Sequence, residues 1–346
     1  MPRCLPVFGS ILAEYKETLA RLGVRRNLIG AVISLLSDEA ECFTRRPATH
    51  DGQAPRAARA TGQLNYKEPM YPALNGTLVA GRTPWPEFAF LARKTGFPGV
   101  DVNIAKAMEH GTGQTRDLLE QLKLKPAVVA LPVEFRKDQA TFDADLAKLP
   151  AAAKFAAAIG CPRMTTWTLP SSELPKTEQR QIYLERFKKC AAVLLESHIR
   201  LGLENVSPVH LRKRFPHEFI YRTDEMLEFA RECGPNVGLL LDSWHWHHAG
   251  GTVKDILSAG KQFIVHVQLA DAPDIAPEKI MDNERLMPGE GVVDLVGLLQ
   301  ALKKIGYRDG ISPEVFGRGL KDMPAEEGAR LGLSTTLAVM RKAGVA

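Results

Sequence analysis

From Tyr71 onward, short apolar or β-branched runs alternate with longer segments whose apolar residues recur at helical spacing. The runs ALNGTLVA, GVDVNI, PAVVALPV, RMTTWTL, RLGLENV, VGLLLD, FIVHVQL and GISPEVF are expected to be strands. Segments such as WPEFAFLARKTGF, FDADLAKLPAAAKFAAAIG and VDLVGLLQALKKIGY are expected to be helices, the last with an apolar stripe at Leu295, Leu298, Leu299 and Leu302. With the closing helix AEEGARLGLSTTLAVMRKA, eight strands alternate with eight helices over roughly 275 residues, which predicts an α/β fold, the (β/α)8 TIM barrel. A doubly wound open sheet would more often show five or six strands and a Gly-rich phosphate turn after the first strand. NGTLVAG is not such a turn.

Residues 1–68 break this pattern. LAEYKETLARLGV and RRNLIGAVISLLS could each form a helix, but TRRPATHDGQAPRAARATGQLNYKEP has the composition of a linker or disordered segment. The expected organisation is an N-terminal extension, 1–68, partly helical or disordered, followed by a barrel catalytic domain, 69–346. The double arginine before a short apolar run is similar to a twin-arginine export signal, yet Asp38, Glu39 and Glu41 follow at once and no clear cleavage site is visible. No apolar run has the length of a transmembrane helix, so no membrane partner is expected. Five scattered cysteines form no CxxC pair, which fits a reducing cytoplasm. A net charge of +5 is mild for this length and argues against a dedicated nucleic-acid surface.

In a barrel, residues at the C-terminal ends of the strands face the active-site mouth. Strand five ends in Glu204, strand six in Asp242, strand seven carries His266, and strand eight carries Glu314. Each alone has an ordinary reading: a core histidine, a rim salt bridge, or an aspartate capping the next helix. Acidic groups in Val- and Leu-rich strands are costly to bury unless paired or metal-bound, so four coincident cases point to one metal site. LLLDSWHWHHAGG adds three of the chain's nine histidines directly after strand six.

LGLEN, LLLDSWH with its D-x-x-H, HVQLAD, MPGEGVVDLVGLLQALKKIGY and SPEVF stand in an order that resembles the xylose isomerase-like superfamily of TIM barrels, the sugar phosphate isomerase/epimerase group, over roughly Tyr71 to Lys342. The resemblance implies one divalent ion on Glu204, Asp242, His266 and Glu314, manganese first, with magnesium, cobalt, iron or zinc as alternatives. It also implies that Glu204 and Glu314 are the catalytic acid/base pair of a carbohydrate isomerase or epimerase, moving a proton beside a ketone through a metal-stabilised enediolate. Members of that superfamily are often dimers or tetramers, so a homo-oligomer is compatible with it.

His245 of the D-x-x-H is expected to bind substrate, while Trp246 could form an apolar wall against a sugar face. Sugar 3-epimerases carry a second glutamate where this chain has His210, and an arginine where it has Ala272. Arg285, in a long insert ahead of the Pro-Gly-Glu-Gly stretch, is the replacement candidate for gripping substrate, set against a solvated loop arginine. Glu134 and Trp167 point to the same mouth, and Glu290 reads as structural. A lyase or dehydratase on an inosose-like or keto-glycoside substrate is the alternative, since it begins with the same proton abstraction. A multi-zinc endonuclease would need histidines at the ends of strands two and three, where Val102-Asn103 and Leu131-Pro132 stand.

Overall fold

The computed structural model describes residues 70–346. The expected extension, 1–68, lies outside the described residues. Eight parallel strands form a closed barrel: β1 (Tyr71–Leu74), β2 (Gly99–Val102), β3 (Lys125–Ala130), β4 (Arg163–Thr168), β5 (Arg200–Asn205), β6 (Val237–Asp242), β7 (Ile264–Leu269) and β8 (Gly310–Pro313). Each strand pairs with its neighbours in sequence, and Tyr71 opposite Gly310 closes the ring between β1 and β8. The eight expected strands are therefore present, in a TIM barrel.

The outer helices follow from their stripes. Helix Leu295–Lys304 buries Leu295, Leu298, Leu299 and Leu302 against the barrel and leaves Lys303 and Lys304 outside. Helix Thr223–Cys233 does the same with Met226, Leu227, Ala230 and Cys233. No helix among the described residues is long and apolar enough to cross a membrane.

Two expected elements came out differently. ALNGTLVA is a strand only to Leu74, and Gly76–Val79 is a 3-10 turn. Asn75 is responsible: its Oδ1 accepts from the Thr77 amide at 2.9 Å and the Thr77 hydroxyl at 2.8 Å, offering the backbone a turn in place of a ladder. FDADLAKLPAAAKFAAAIG forms two helices, Gln139–Leu146 and Leu149–Ala158, because Pro150 lacks the amide needed to continue the first and fits the opening turn of the second.

Register fixes what faces the mouth at each level. Asp242 on β6 is level with Gln268 on β7, and Gln268 is level with Ser312 on β8. His266 is level with Leu240, one pleat deeper in the barrel.

Candidate active site

Glu204, Asp242 and Glu314 converge at the C-terminal ends of β5, β6 and β8. Asp242 serves two purposes. Its Oδ1 caps the one-and-a-half-turn helix Ser243–His248 by accepting from the Trp244 amide at 2.8 Å, and its Oδ2 faces the mouth. The SWHWHH segment is thus a helix started by the site aspartate. One turn on, His245 is turned back to the same point, its Nε2 lying 3.8 Å from Glu204 and 4.0 Å from Asp242. Glu204, Asp242 and His245 bring ligand-type atoms within 4.8 Å of one another, a spacing at which one divalent ion could be held.

Burial and like charge dominate the electrostatics. Glu204 is pushed well above the usual carboxylate range, by burial first and then by Asp242 and Glu314. Burial also raises Asp242 and takes Glu314 up to about 7, against the opposing pull of Arg285. His245 is held well below its ordinary value by burial and by Arg285, so its ring is neutral. The Ser207 amide lies 3.3 Å from His245 Nδ1 and the Arg285 Nη2 lies 3.1 Å from its Nε2, so N–H donors face both ring nitrogens.

Arg285 occupies the centre of the cluster. The excursion between β7 and helix Leu295–Lys304 folds back over the mouth, and the Arg285 guanidinium, 2 % exposed, donates to Asp242 Oδ2 at 2.6 Å, Glu314 Oε2 at 3.1 Å and Asp282 Oδ1 at 3.1 Å. Burial works against this cation, but Asp242, Asp282, Glu314 and Glu204 outweigh it and raise its pKa.

Asp271 shapes the excursion. Its buried carboxylate accepts from the amides of Ala272, Gly289 and Val293, each at 2.9 Å, tying the strand end to both sides of the Pro-Gly-Glu-Gly turn. At Gly291 a Cβ would collide with the Ala272 carbonyl oxygen, so only glycine lets the turn approach so closely. Asp271→Ala would leave three amides, two of them buried, without their acceptor and is expected to cost about 3 kcal/mol in chemical denaturation. A loss below about 1 kcal/mol would show that the turn is held by other contacts.

Two cavities of about 320 and 310 Å³ open at the mouth and share Trp167, Glu204 and Glu314, so they are lobes of one site. The first reaches Asp101 and Asn75; the second holds His245, Arg285, Asp282 and Phe316. Trp167, 44 % exposed, forms the shared wall, with the Arg136 guanidinium 4.0 Å from its ring.

Of the residues expected at the site, Glu204, Asp242, His245, Arg285, Glu314 and Trp167 are brought together, and Arg285 is no solvated loop residue. Glu134 lines neither lobe; it accepts from the Arg136 amide at 3.1 Å and steadies that arginine under Trp167. His210 sits on the short helix Val209–Arg212 and also lines neither lobe. Trp246 packs in the core with its Nε1 on the Thr252 carbonyl, correcting the apolar wall expected of it. Trp244 and His248 stack edge to face at 4.4 Å, so part of the histidine cluster is packing. Glu290 pairs with Arg318 at 2.8 Å.

His266 lies beneath the carboxylates, its Nε2 3.0 Å from the Ser312 hydroxyl, and lines neither lobe. At the level of Asp242 the inward residue of β7 is Gln268, whose Nε2 donates to Glu314 Oε1 at 2.8 Å. Sequence reasoning missed Gln268, although it stands two residues from His266 and so faces the same way. It also missed Asp101.

Buried donor atoms without a partner show what the cluster could hold. Glu204 Oε1 and Gln268 Oε1 are both buried and accept no hydrogen bond among the described residues. With Asp242 and Glu314 they form an all-oxygen donor set, which fits a hard divalent cation.

The chain belongs to the xylose isomerase-like TIM barrel family, whose model matches residues 84–341. A xylose isomerase domain protein from Alicyclobacillus acidocaldarius has the same fold, with a TM-score of 0.74 and 31 % identity over 80 % of this chain and 99 % of that one. Over 180 residues the chain is 31 % identical to the inosose isomerase of Bacillus velezensis, covering 49 % of this chain and 61 % of that enzyme. It is 36 % identical over 109 residues to a 3-dehydroshikimate dehydratase of Pseudomonas aeruginosa, covering 31 % of this chain and 17 % of that protein. The chain thus spans less than two thirds of the length of either enzyme.

Proposed function

We propose that the protein is a divalent-metal-dependent isomerase or epimerase of a keto-sugar or related polyol ketone. The observation that carries this reading is the convergence of Glu204, Asp242, Gln268 and Glu314 at one end of the barrel, with two of their oxygens buried and without a hydrogen-bond partner among the described residues. We assign the ion to these four residues, with Gln268 in the place the sequence suggested for His266. Three carboxylates and one amide oxygen favour manganese or magnesium. The bound ion would supply Lewis-acid polarisation of a carbonyl and its neighbouring hydroxyl.

The protein's own groups do the rest. Glu204 and Glu314 border both lobes, so a substrate lying between them meets a carboxylate from each side. One removes the proton beside the carbonyl and the other returns a proton to the enediolate carbon or oxygen. Arg285 donates to substrate oxygens, His245 holds that guanidinium at the mouth, and Trp167 covers the apolar face of the ring or chain. The carbohydrate substrate, the isomerisation and a cytoplasmic setting all belong to this proposal. Dehydration is the second reading, favoured by the similarity to the 3-dehydroshikimate dehydratase, and it starts from the same abstraction.

The test is NMR of keto-sugars, inososes and their phosphates incubated with manganese-loaded protein in D2O. Deuterium appearing beside a carbonyl would support the reading, and the accompanying product would separate epimer from dehydrated ketone. Absence of exchange on every candidate, with metal shown to be bound, would refute it.

The ligand assignment makes its own prediction. Gln268→Ala should weaken manganese binding in calorimetry by about 10- to 100-fold, whereas His266→Ala should lower thermal stability and change metal affinity by less than about 3-fold. The reverse pattern would return the fourth position to His266. Metal binding should also depend on pH. Glu314 has its pKa raised from 4.5 to about 7, so its contribution to stability is complete below the lower value and is lost as pH rises through the higher one. The metal binds the ionised form, so the rise in Tm on adding manganese should grow between about pH 5 and about pH 8.

A further inference from the structure

β2 and β6 lie directly across the barrel, four steps apart either way around the ring of eight. Asp242 ends β6, and at the facing position β2 carries Asp101. Asp101 lines the same lobe as Glu204, Gln268 and Glu314, from the opposite side.

Its carboxyl group is held at two points. Oδ2 accepts from the Asn75 side-chain amide at 2.9 Å, and Oδ1 accepts from the Ser312 hydroxyl at 2.7 Å. Ser312 has only one proton to give. With that proton given to Asp101, His266 Nε2, 3.0 Å from the same hydroxyl oxygen, is the donor to it, and His266 Nδ1 is buried with no hydrogen-bond partner among the described residues. His266 therefore buttresses Ser312, and Ser312 orients Asp101. This also gives the imidazole a place in the barrel that needs no metal.

No lysine or arginine among the described residues pairs with Asp101, and its nearest basic group is neutral His266 at 4.0 Å. A half-buried carboxyl group bonded only to neutral donors adds little to stability, yet Asn75, Ser312 and His266 are all committed to fixing it. Burial takes its pKa up to about 8, so the carboxyl group can donate as well as accept, and it lines the open lobe.

We infer that Asp101 recognises a substrate hydroxyl remote from the reacting carbonyl, making it the residue that selects polyol ketones hydroxylated on the far side of the ring or chain. This rests on the proposed function. The substrate's carbonyl end lies against Glu204, Gln268 and Glu314, and its far hydroxyl both gives and takes a hydrogen bond at Asp101. Ligands lacking that hydroxyl set an apolar group against the remaining lone pairs and proton of Asp101, which is the strongest basis a pocket has for rejecting an analogue.

The experiment uses the manganese-loaded full chain, with pentahydroxycyclohexanone and its analogue lacking the hydroxyl opposite the carbonyl as probes. Calorimetry gives both Kd values and D2O exchange gives both rates. The unsubstituted protein should bind the parent about 50-fold more tightly than the deoxy analogue, and Asp101→Ala should reduce that ratio to below about 3-fold. Asp101→Leu, which keeps the volume filled, should do the same, and both variants should bind manganese as before. If the parent exchanges normally while Asp101→Ala and Asp101→Leu keep the original ratio, Asp101 is no selector and this inference alone falls. If the unsubstituted protein neither binds nor exchanges any polyol ketone, the functional reading falls and this inference with it.

Discussion

Glu204→Gln should lose proton exchange by about 10⁴-fold at saturating manganese while keeping its fold. Glutamine retains a side-chain carbonyl oxygen, so it can still contribute a donor to a cation; what it cannot do is take a proton. The substitution therefore separates the base from the ligand. It also carries a stability signature. Glu204 is buried, its pKa is raised by burial and by the charges of Asp242 and Glu314, and its Oε1 has no hydrogen-bond partner among the described residues. Removing that charge relieves repulsion, so the metal-free variant should melt at or above the temperature of the unsubstituted protein. Lost activity with unchanged or improved stability marks a group placed for chemistry at a cost to the fold. Exchange persisting within about 10-fold of the original would move the essential base to Glu314.

The barrel was legible because its strands are short apolar runs and its helices carry narrow apolar stripes, two periods that do not mimic one another. Legibility ended where a side chain competed with the backbone, as at Asn75, or where proline withheld an amide, as at Pro150. At the site, the strand-end rule found Glu204, Asp242 and Glu314 because each is the one acidic group at the end of an apolar run. β7 has two inward-facing polar residues, His266 and Gln268, and only pairing with β6 decides which is level with Asp242. An uncharged amide gives no signal in sequence, so the imidazole drew attention to the deeper layer. Asp101 was hidden by the brevity of GVDV, too short for its alternation to say which face points inward. The place of Arg285 depended on an excursion without periodicity, whose path is set by the three amide bonds to Asp271.

Arg285→Ala should have the largest effect on stability, and its sign depends on the metal. In the metal-free protein the guanidinium is the only buried cation bonded to Asp242 and Glu314 among the described residues. Removing one partner of a buried ion pair leaves uncompensated charge and costs roughly 3–5 kcal/mol, on the order of 10 °C in Tm for a domain of this size. Part of that cost is recovered when Glu314, already raised to about 7, takes up a proton. A divalent ion would recover more, because it would meet the same carboxylates without a competing positive charge. The variant should therefore show a lower Tm without metal, a larger Tm rise on adding manganese, and a manganese affinity equal to or above that of the original. Exchange activity should nonetheless fall at least about 100-fold, since the donors that orient the substrate oxygens are gone. Arg285→Lys should not restore it, because one ammonium cannot span Asp242, Glu314 and a substrate oxygen as the planar fork does. A variant with unchanged metal-free Tm would show that the guanidinium merely covers the mouth. One that loses manganese binding altogether would show that Arg285 holds the carboxylates in the arrangement the ion requires.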